Sequence, residues 1–265
     1  MSGGFPAGLD ICGGFDVGTV LTNAGVTVTG GLNTPGAWTQ IVASTARDAC
    51  WMEVSVFPTT GASFVVACDI AVGASGSEKA IANKLFATSG TGRGTLGNHC
   101  FPVNIPAGTR ISARFSCSAS TDTNQVNIRL YDGAFTQIDG CAGVDAIGFN
   151  AATTGGTTLT SGSPAGTKGA WAQLIAATAR DYIGFSVIQD RTSPVTWGLL
   201  DVAIGASGSE TIIKPNYGWA MQVNLSHPSP IQWTAIPSGT RIAARFTDCY
   251  NATSSTGITL YGIYQ

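Results

Sequence analysis

The ten residues DIAVGASGSE at 69–78 return almost unchanged as DVAIGASGSE at 201–210. They do not return alone. GAWTQIVASTARD (36–48) is matched by GAWAQLIAATARD (169–181), and IPAGTRISARF (105–115) by IPSGTRIAARF (236–246). IRLYDG (128–133) is matched by ITLYGI (258–263), and the opening CGGFD (12–16) by CAGVD (141–145). The five blocks keep their order, so the chain is a tandem duplication with a period of about 130 residues. That is too long for a solenoid, whose units run to roughly 20–50 residues. It is close to the commonest size of an independent domain. The organisation expected is an N-terminal arm (1–11), a first repeat (12–138) and a second (139–265), each burying its own core.

Within the repeats the apolar period is two. In ARDYIGFSVI (179–188), Ile183, Phe185 and Val187 alternate with Tyr182, Gly184, Ser186 and Ile188. In TRISARF (109–115), Ile111, Ala113 and Phe115 alternate with Arg110, Ser112 and Arg114. Alternation of this kind marks strands with one dry and one wet face. SFVVACDIAVG (63–73) and TWGLLDVAIG (196–205) are denser and read as buried strands. Turns are marked by GASG, PAGT, PSGT, SGTGRG and SSTG. GSEKAIANKLFA (76–87) has some helical character, but its partner GSETIIKPNYGWA (208–220) carries Pro215 and β-branched residues. Two domains of common origin share a fold, so this stretch is expected to be a strand or an irregular arm. The fold class predicted is all-β: two tandem jelly-roll-like antiparallel β-sandwich domains from an internal duplication.

Charge bounds the partners. Only 11% of residues are charged and the formal net charge is −2. Nucleic-acid binding needs clustered Lys and Arg, and attachment to an anionic membrane needs a basic face. The 13 basic residues are scattered instead, so neither partner is expected. MSGGFPAGLD lacks the basic and apolar regions of a secretory signal. Of the seven Cys, only Cys12 and Cys141 occupy matched places. Cys50, Cys68, Cys100, Cys117 and Cys249 face Ile183, Leu200, Ile231, Asp248 and Ser118 in the other copy. A disulfide framework would have been copied with the domain, so most of these thiols are read as small buried hydrophobes. Cys12 and Cys141, among glycines at the head of each repeat, are the candidates for an intermolecular disulfide.

The shared GASGSE turn suits either a backbone nest for an anion or a tight turn needing small residues; with no lysine at P-loop spacing, the turn is favoured. Arg110, Arg114, Arg241 and Arg245, with the ARD pairs Arg47–Asp48 and Arg180–Asp181, form the repeated charge pattern, and structural carboxylate–arginine bridges are expected of it. Trp38 and Trp171 recur in both halves and are expected in the cores. Tyr217, Trp219 and Trp233 are unmatched and are candidate interface anchors or sugar-stacking aromatics. The two histidines, His99 and His227, do not match each other. No catalytic, cofactor or metal set is assigned, and an enzyme is not expected.

VGASGSE and IGASGSE, IPAGTRISAR and IPSGTRIAAR, with GAWTQIVASTARD upstream, resemble phrases of β-sandwich virion structural proteins of tailed bacteriophages. The blocks cover about half of each repeat. The resemblance implies a capsid-decoration, neck or collar, or tail-appendage protein, made in the host cytoplasm and carried on the virion. Its implied partners are other virion proteins and copies of itself. The alternative is a carbohydrate- or receptor-binding adhesin module that recognises a host surface glycan.

Overall fold

The computed structural model describes residues 8–12, 25–58, 65–90, 93–94, 97–119, 122–132, 140–190, 197–220 and 228–265. The chain divides into two compact units, Met1–Asp145 and Ala146–Tyr264. All the regular elements among the described residues are strands.

The first unit contains β1 (Gly8–Cys12), β2 (Val26–Leu32), β3 (Thr39–Val42), β4 (Ala49–Pro58), β5 (Val65–Val72), β6 (Lys79–Gly90), β7 (Arg93–Gly94), β8 (Gly97–Ile105), β9 (Ile111–Cys117) and β10 (Thr123–Asp132). In one layer β10 is central. It pairs antiparallel with β4 on one side, and on the other with β1 and then β2; β4 goes on to pair with β8. In the other layer β9 pairs with β5, and β5 with β6. The far side of β9 is taken by β3 and by the end of β2, which runs parallel to it. β2 therefore belongs to both layers and curls one into the other. Between them lie Met52, Val54, Cys68, Ile70, Phe115, Ile128 and Leu130, all essentially without solvent exposure. Burying each large apolar side chain contributes roughly 1.5–3 kcal/mol.

The chain continues through β11 (Gly143–Ile147), β12 (Phe149–Asn150), β13 (Gly155–Thr160), β14 (Ala172–Ile175), β15 (Gly184–Asp190), β16 (Trp197–Ile204), β17 (Thr211–Ala220), β18 (Ile242–Asp248) and β19 (Ser255–Tyr264). Within the second unit one layer runs β12–β13–β19–β15 and the other β14–β18–β16–β17. This is the first unit's topology again: β13, β14, β15, β16, β17, β18 and β19 stand for β2, β3, β4, β5, β6, β9 and β10. Core positions on β15, β16 and β18 match those on β4, β5 and β9. Phe185, Leu200, Val202 and Phe246 replace Met52, Cys68, Ile70 and Phe115, all buried. A cysteine standing where its copy has a buried leucine is the small hydrophobe expected of Cys68.

The all-β duplicated architecture is as the sequence predicts, including the strand character of 79–90. Three features differ from the expectation. The compact units part between Asp145 and Ala146, so the head of the second repeat folds with the first unit: the Asn104 amide donates to the Cys141 carbonyl, and Val144 pairs with Ala82 of β6. The last matched block is also out of register. Leu130 lies opposite Met52 in β10, and Gly262 lies opposite Phe185 in β19. Because Phe185 replaces Met52, Gly262 replaces Leu130, two residues from the pairing read off IRLYDG and ITLYGI. A slip of two leaves every side chain on its original face, so the alternation alone did not expose it. Finally, β8 shrinks in the second unit to two bridges, Tyr182–Ile236 and Phe185–Gln232. Pro228, Pro230 and Pro237 punctuate that segment and lack the amide a ladder needs.

Candidate functional site: a charge cluster built twice

Asp69 sits in mid-β5 with its side chain turned away from the core, and Arg114 is its direct cross-strand partner on β9. Arg114 Nε donates to Asp69 Oδ2 at 2.9 Å, and Lys84 Nζ to the same oxygen at 3.0 Å. The Lys84 backbone amide donates to Oδ1 at 2.9 Å. That last bond requires a bulge in β6 and a positive φ of 55° at Lys84. The guanidinium also lies over the Trp38 ring, 4.3 Å from its centroid, a geometry worth about 0.5–1 kcal/mol at an exposed site.

A second arginine closes the neighbouring turn. Arg110 Nη1 donates to Glu78 Oε1 at 3.1 Å and to the Gly73 carbonyl at 3.0 Å, while its Nε reaches Gln40 Oε1 at 3.0 Å. Glu78 Oε2 accepts from the Gly76 amide at 2.9 Å. Gly73 and Gly76 have φ of 110° and 82°, which side-chain-bearing residues rarely adopt. GASGSE is therefore a glycine-dependent turn whose final glutamate anchors an arginine. Burial pushes the Glu78 carboxyl up, but its own amide, Arg110 and the Gly76 amide outweigh this and hold it below its usual value.

The second unit repeats the cluster. Arg245 Nε meets Asp201 Oδ2 at 3.0 Å and lies 4.4 Å over Trp171. Arg241 meets Glu210, the Gly205 carbonyl and Gln173 at 3.2, 3.0 and 3.1 Å. Asp201 Oδ1 accepts from the Asn216 amide at 2.8 Å and from Lys168 Nζ at 2.9 Å. Burial raises the Asp201 carboxyl, yet these donors overcome it and leave the group below its ordinary range.

The matched threonines complete the pattern. Thr45 Oγ1 donates to the Pro106 carbonyl and accepts from the Thr109 amide; Thr178 does the same with Pro237 and Thr240. The duplicated blocks thus converge in space. GAWxQ supplies the tryptophan and glutamine, DxAxGASGSE both carboxylates, and GTRIxAR both arginines. Two expectations need correction. The arginine bridges run to Asp69, Asp201, Glu78 and Glu210; the ARD aspartates instead cap loops, Asp48 accepting from the Ala107 amide and Asp181 from Ser238. Trp38 and Trp171 are half-buried platforms under arginine rather than core residues, because the guanidinium keeps them on the wet face.

The remaining candidates are dispersed. Tyr217 lies half-buried on β17 under Lys214, whose Nζ is 4.9 Å from the ring centroid. The Trp219 side chain lies outside the described residues, as do the Cys12 side chain and His227. Trp233 is 49% exposed and covers Gly184, where an added Cβ would stand 3.0 Å from its ring. Cys141 is a buried free thiol whose burial pushes it up to about 11. Cys100 and Cys249 are exposed free thiols.

Sequence reasoning missed one cluster because it is not duplicated. On the outer face of β4 and β10, Glu53 accepts from Asn98 Nδ2 (2.9 Å), Arg129 Nη1 (3.1 Å) and the Tyr131 hydroxyl (2.6 Å). Burial, with Glu53 beside it, lifts the Tyr131 phenol to about 12. The register places Ser186 at the position of Glu53 in the second unit. The cross-strand pair Glu53–Arg129, on alternating positions of two strands, was the available sign.

Among the described residues, no group of three or more His, Cys, Asp and Glu side chains is placed to hold a metal ion. Among the described residues, no helix is long and apolar enough to cross a membrane. Compared with known proteins, the chain matches no family model and no curated protein.

Proposed function

We propose that this protein is a structural component of a bacteriophage virion, of the capsid-decoration, collar or tail type, acting through protein–protein assembly. One observation carries the reading. The repeated aspartates and glutamates, with Arg110, Arg114, Arg241 and Arg245, bind one another or nearby turn amides, so duplication preserved a scaffold in each unit. Low charge supports it, since faces poor in ions pack against neighbours without desolvating many charges. The resemblance of the repeated phrases to virion structural proteins supports it too. Other virion proteins and copies of this chain are its partners, with no part for nucleic acid, membrane, cofactor or catalysis. The test is to purify particles from a host carrying the gene and locate the chain by antibody labelling. A regular array of label on capsid, neck or tail is the expected result; particles lacking the chain would overturn the reading.

Trp233 favours the second reading, an adhesin. The half-exposed Trp233 indole offers a flat apolar face on which a sugar ring stacks. A glycan array with the purified chain decides it: binding abolished by Trp233→Ala supports recognition of a host glycan, and an unchanged blank array removes it.

A further inference from the structure

We infer that the Nη ends of Arg114 and Arg245 form a carboxylate-binding site in each unit, for an acidic side chain on a partner protein. The inference goes beyond the scaffold role of the clusters. It rests on the assembly reading only in taking the partner to be a protein.

The duplicated arginines are of two kinds. Arg110 is engaged along its whole head: Nε donates to Gln40, and Nη1 to Glu78 and the Gly73 carbonyl. Arg241 is engaged in the same way by Gln173, Glu210 and the Gly205 carbonyl. Arg114 makes a single hydrogen bond among the described residues, from Nε to Asp69, and Arg245 a single one, from Nε to Asp201. Their Nη1 and Nη2 groups donate to no described residue. An arginine–carboxylate pair is frequently bidentate, but here other donors crowd the aspartate. Lys84 Nζ shares the Asp69 oxygen that Arg114 uses, and the other oxygen takes the Lys84 amide. Asp201 Oδ1 takes both the Asn216 amide and Lys168 Nζ.

Neutralising one carboxylate needs one cation, yet each aspartate holds two. The lysine changed its place between the units, and the surplus of positive charge did not change. The scaffold role accounts for the Nε bond and leaves the Nη fork without a task. The fork is also held ready. The Nε bond fixes the guanidinium from one side, and the indole lies 4.3 Å away in one unit and 4.4 Å in the other. Little side-chain freedom is therefore left to lose when a ligand closes on it. The two arginine side chains keep 30% and 29% of their exposure, so a ligand can reach them.

A planar fork with one surplus charge matches a planar monoanion, the carboxylate. A nucleic-acid backbone or an anionic bilayer needs many cations together. A sugar ring needs an open aromatic face, and the guanidinium already lies over each indole. An aspartate or glutamate side chain needs only the fork. One such exposed pair is weak, so the site orients a larger protein contact rather than holding it alone.

Titration of the full chain with tetraglutamate in low-salt buffer, followed by NMR of the arginine side-chain N–H groups, tests this. The Arg114 and Arg245 signals should move along saturable curves, while those of Arg110 and Arg241 stay in place. Arg114→Lys and Arg245→Lys keep a cation beside each aspartate but lose the fork. Each should lower the affinity for labelled tetraglutamate at its own unit about twofold to fivefold, the range of an exposed ion pair. Lys79→Ala removes an exposed charge from the first unit and should leave the titration unchanged. Arginine signals that stay still, or that drift without saturating, would overturn the proposal. An equal loss in Lys79→Ala would also overturn it, because the attraction would then be unspecific. Displacement of the peptide by inorganic phosphate but not by acetate would overturn the carboxylate assignment. The titration needs no particle, so its failure leaves the virion reading standing, and particles lacking the chain leave a positive titration standing.

Discussion

Asp69 and Asp201 hold the same place in the two units and the same set of donors, but not the same lysine. Asp69 draws Lys84 from β6, whereas Asp201 draws Lys168 from the loop before β14. The residue in the position of Lys84 is Asn216, and the residue in the position of Lys168 is Pro35. Two cations and one backbone amide reach the carboxylate in both units. What survived divergence is the neutralisation of a buried charge, since a carboxylate removed from water costs several kcal/mol unless it is paired and hydrogen-bonded. Which strand or loop supplies the second cation is free to change.

The largest expected effect tests the equivalence directly. Asp69→Ala and Asp201→Ala each strand two cations in a largely dry setting, and breaking such a pair costs about 3–5 kcal/mol. The cations keep a fifth to a third of their exposure, which places the loss near the lower figure. Denaturant unfolding of the full chain should show the two variants falling by similar amounts. A variant that melts like the wild type would show that one cluster is ornamental.

Acid should come next. Asp201, Glu78 and Glu210 all have folded-state pKa values held below the ordinary carboxylate range by their donors, against the upward pull of burial. A depressed carboxyl stabilises the fold above its unfolded pKa, about 4, and that stability disappears as pH falls through the folded value. Melting temperature should hold steady above about pH 5 and drop below it. Glu53 is likewise depressed, with burial opposed by Tyr131, Asn98 and Arg129, and Ser186 stands in its place in the second unit. Glu53→Gln should therefore flatten the acid loss in the first unit alone, read from amide exchange in β4 against β15.

The lysine exchange sharpens the comparison further. Lys84→Asn removes a charge-assisted bond worth about 1.5–3 kcal/mol, less a discount for partial exposure. It also relieves a lysine held at φ 55°, since Asn tolerates the left-handed region better. The net loss should be about 1 kcal/mol. Lys168→Ala has no such relief and should cost more. Adding Pro35→Lys to Lys84→Asn recreates the second unit's arrangement and should recover part of the loss in a double-mutant cycle.

The sequence made the fold legible wherever the period of two ran uninterrupted. Ile111, Ala113 and Phe115 face the core as their alternation says, and the duplication vetoed a helix at 76–87 because Pro215 occurs in its copy. The carriers of the cluster were also visible, as the charges that both copies retain. Their pairing was not. Arg114 is adjacent in sequence to Ala113 and Phe115, whereas its carboxylate arrives from β5, in a register that only the folded sheet fixes. The ARD aspartates read as bridge partners of the repeated arginines, but Asp48 turns instead to the Ala107 amide. Trp38 read as core because it recurs in both copies within the same flanking pattern; that an arginine would lie over it depends on a strand far along the chain. Glu53 escaped notice because nothing in the other copy marked it.

The smallest effect is that of the tryptophan platforms. Arg114 stacks on Trp38 and Arg245 on Trp171 at nearly the same height, and both rings are half-buried. Leucine keeps some apolar cover and loses the attraction between cation and ring, so Trp38→Leu should cost about 0.5–1 kcal/mol, and Trp171→Leu the same. If each platform mainly shields the arginine–aspartate pair from water, the loss should exceed that figure and shrink in an Asp69→Asn, Arg114→Met background, where no charge remains to be shielded. If stacking alone matters, Trp38→Phe should restore most of the loss. Equal outcomes in the two units would mean that duplication preserved the stack together with the charges. An effect confined to one unit would mean that only the carboxylate's neutralisation is common to both.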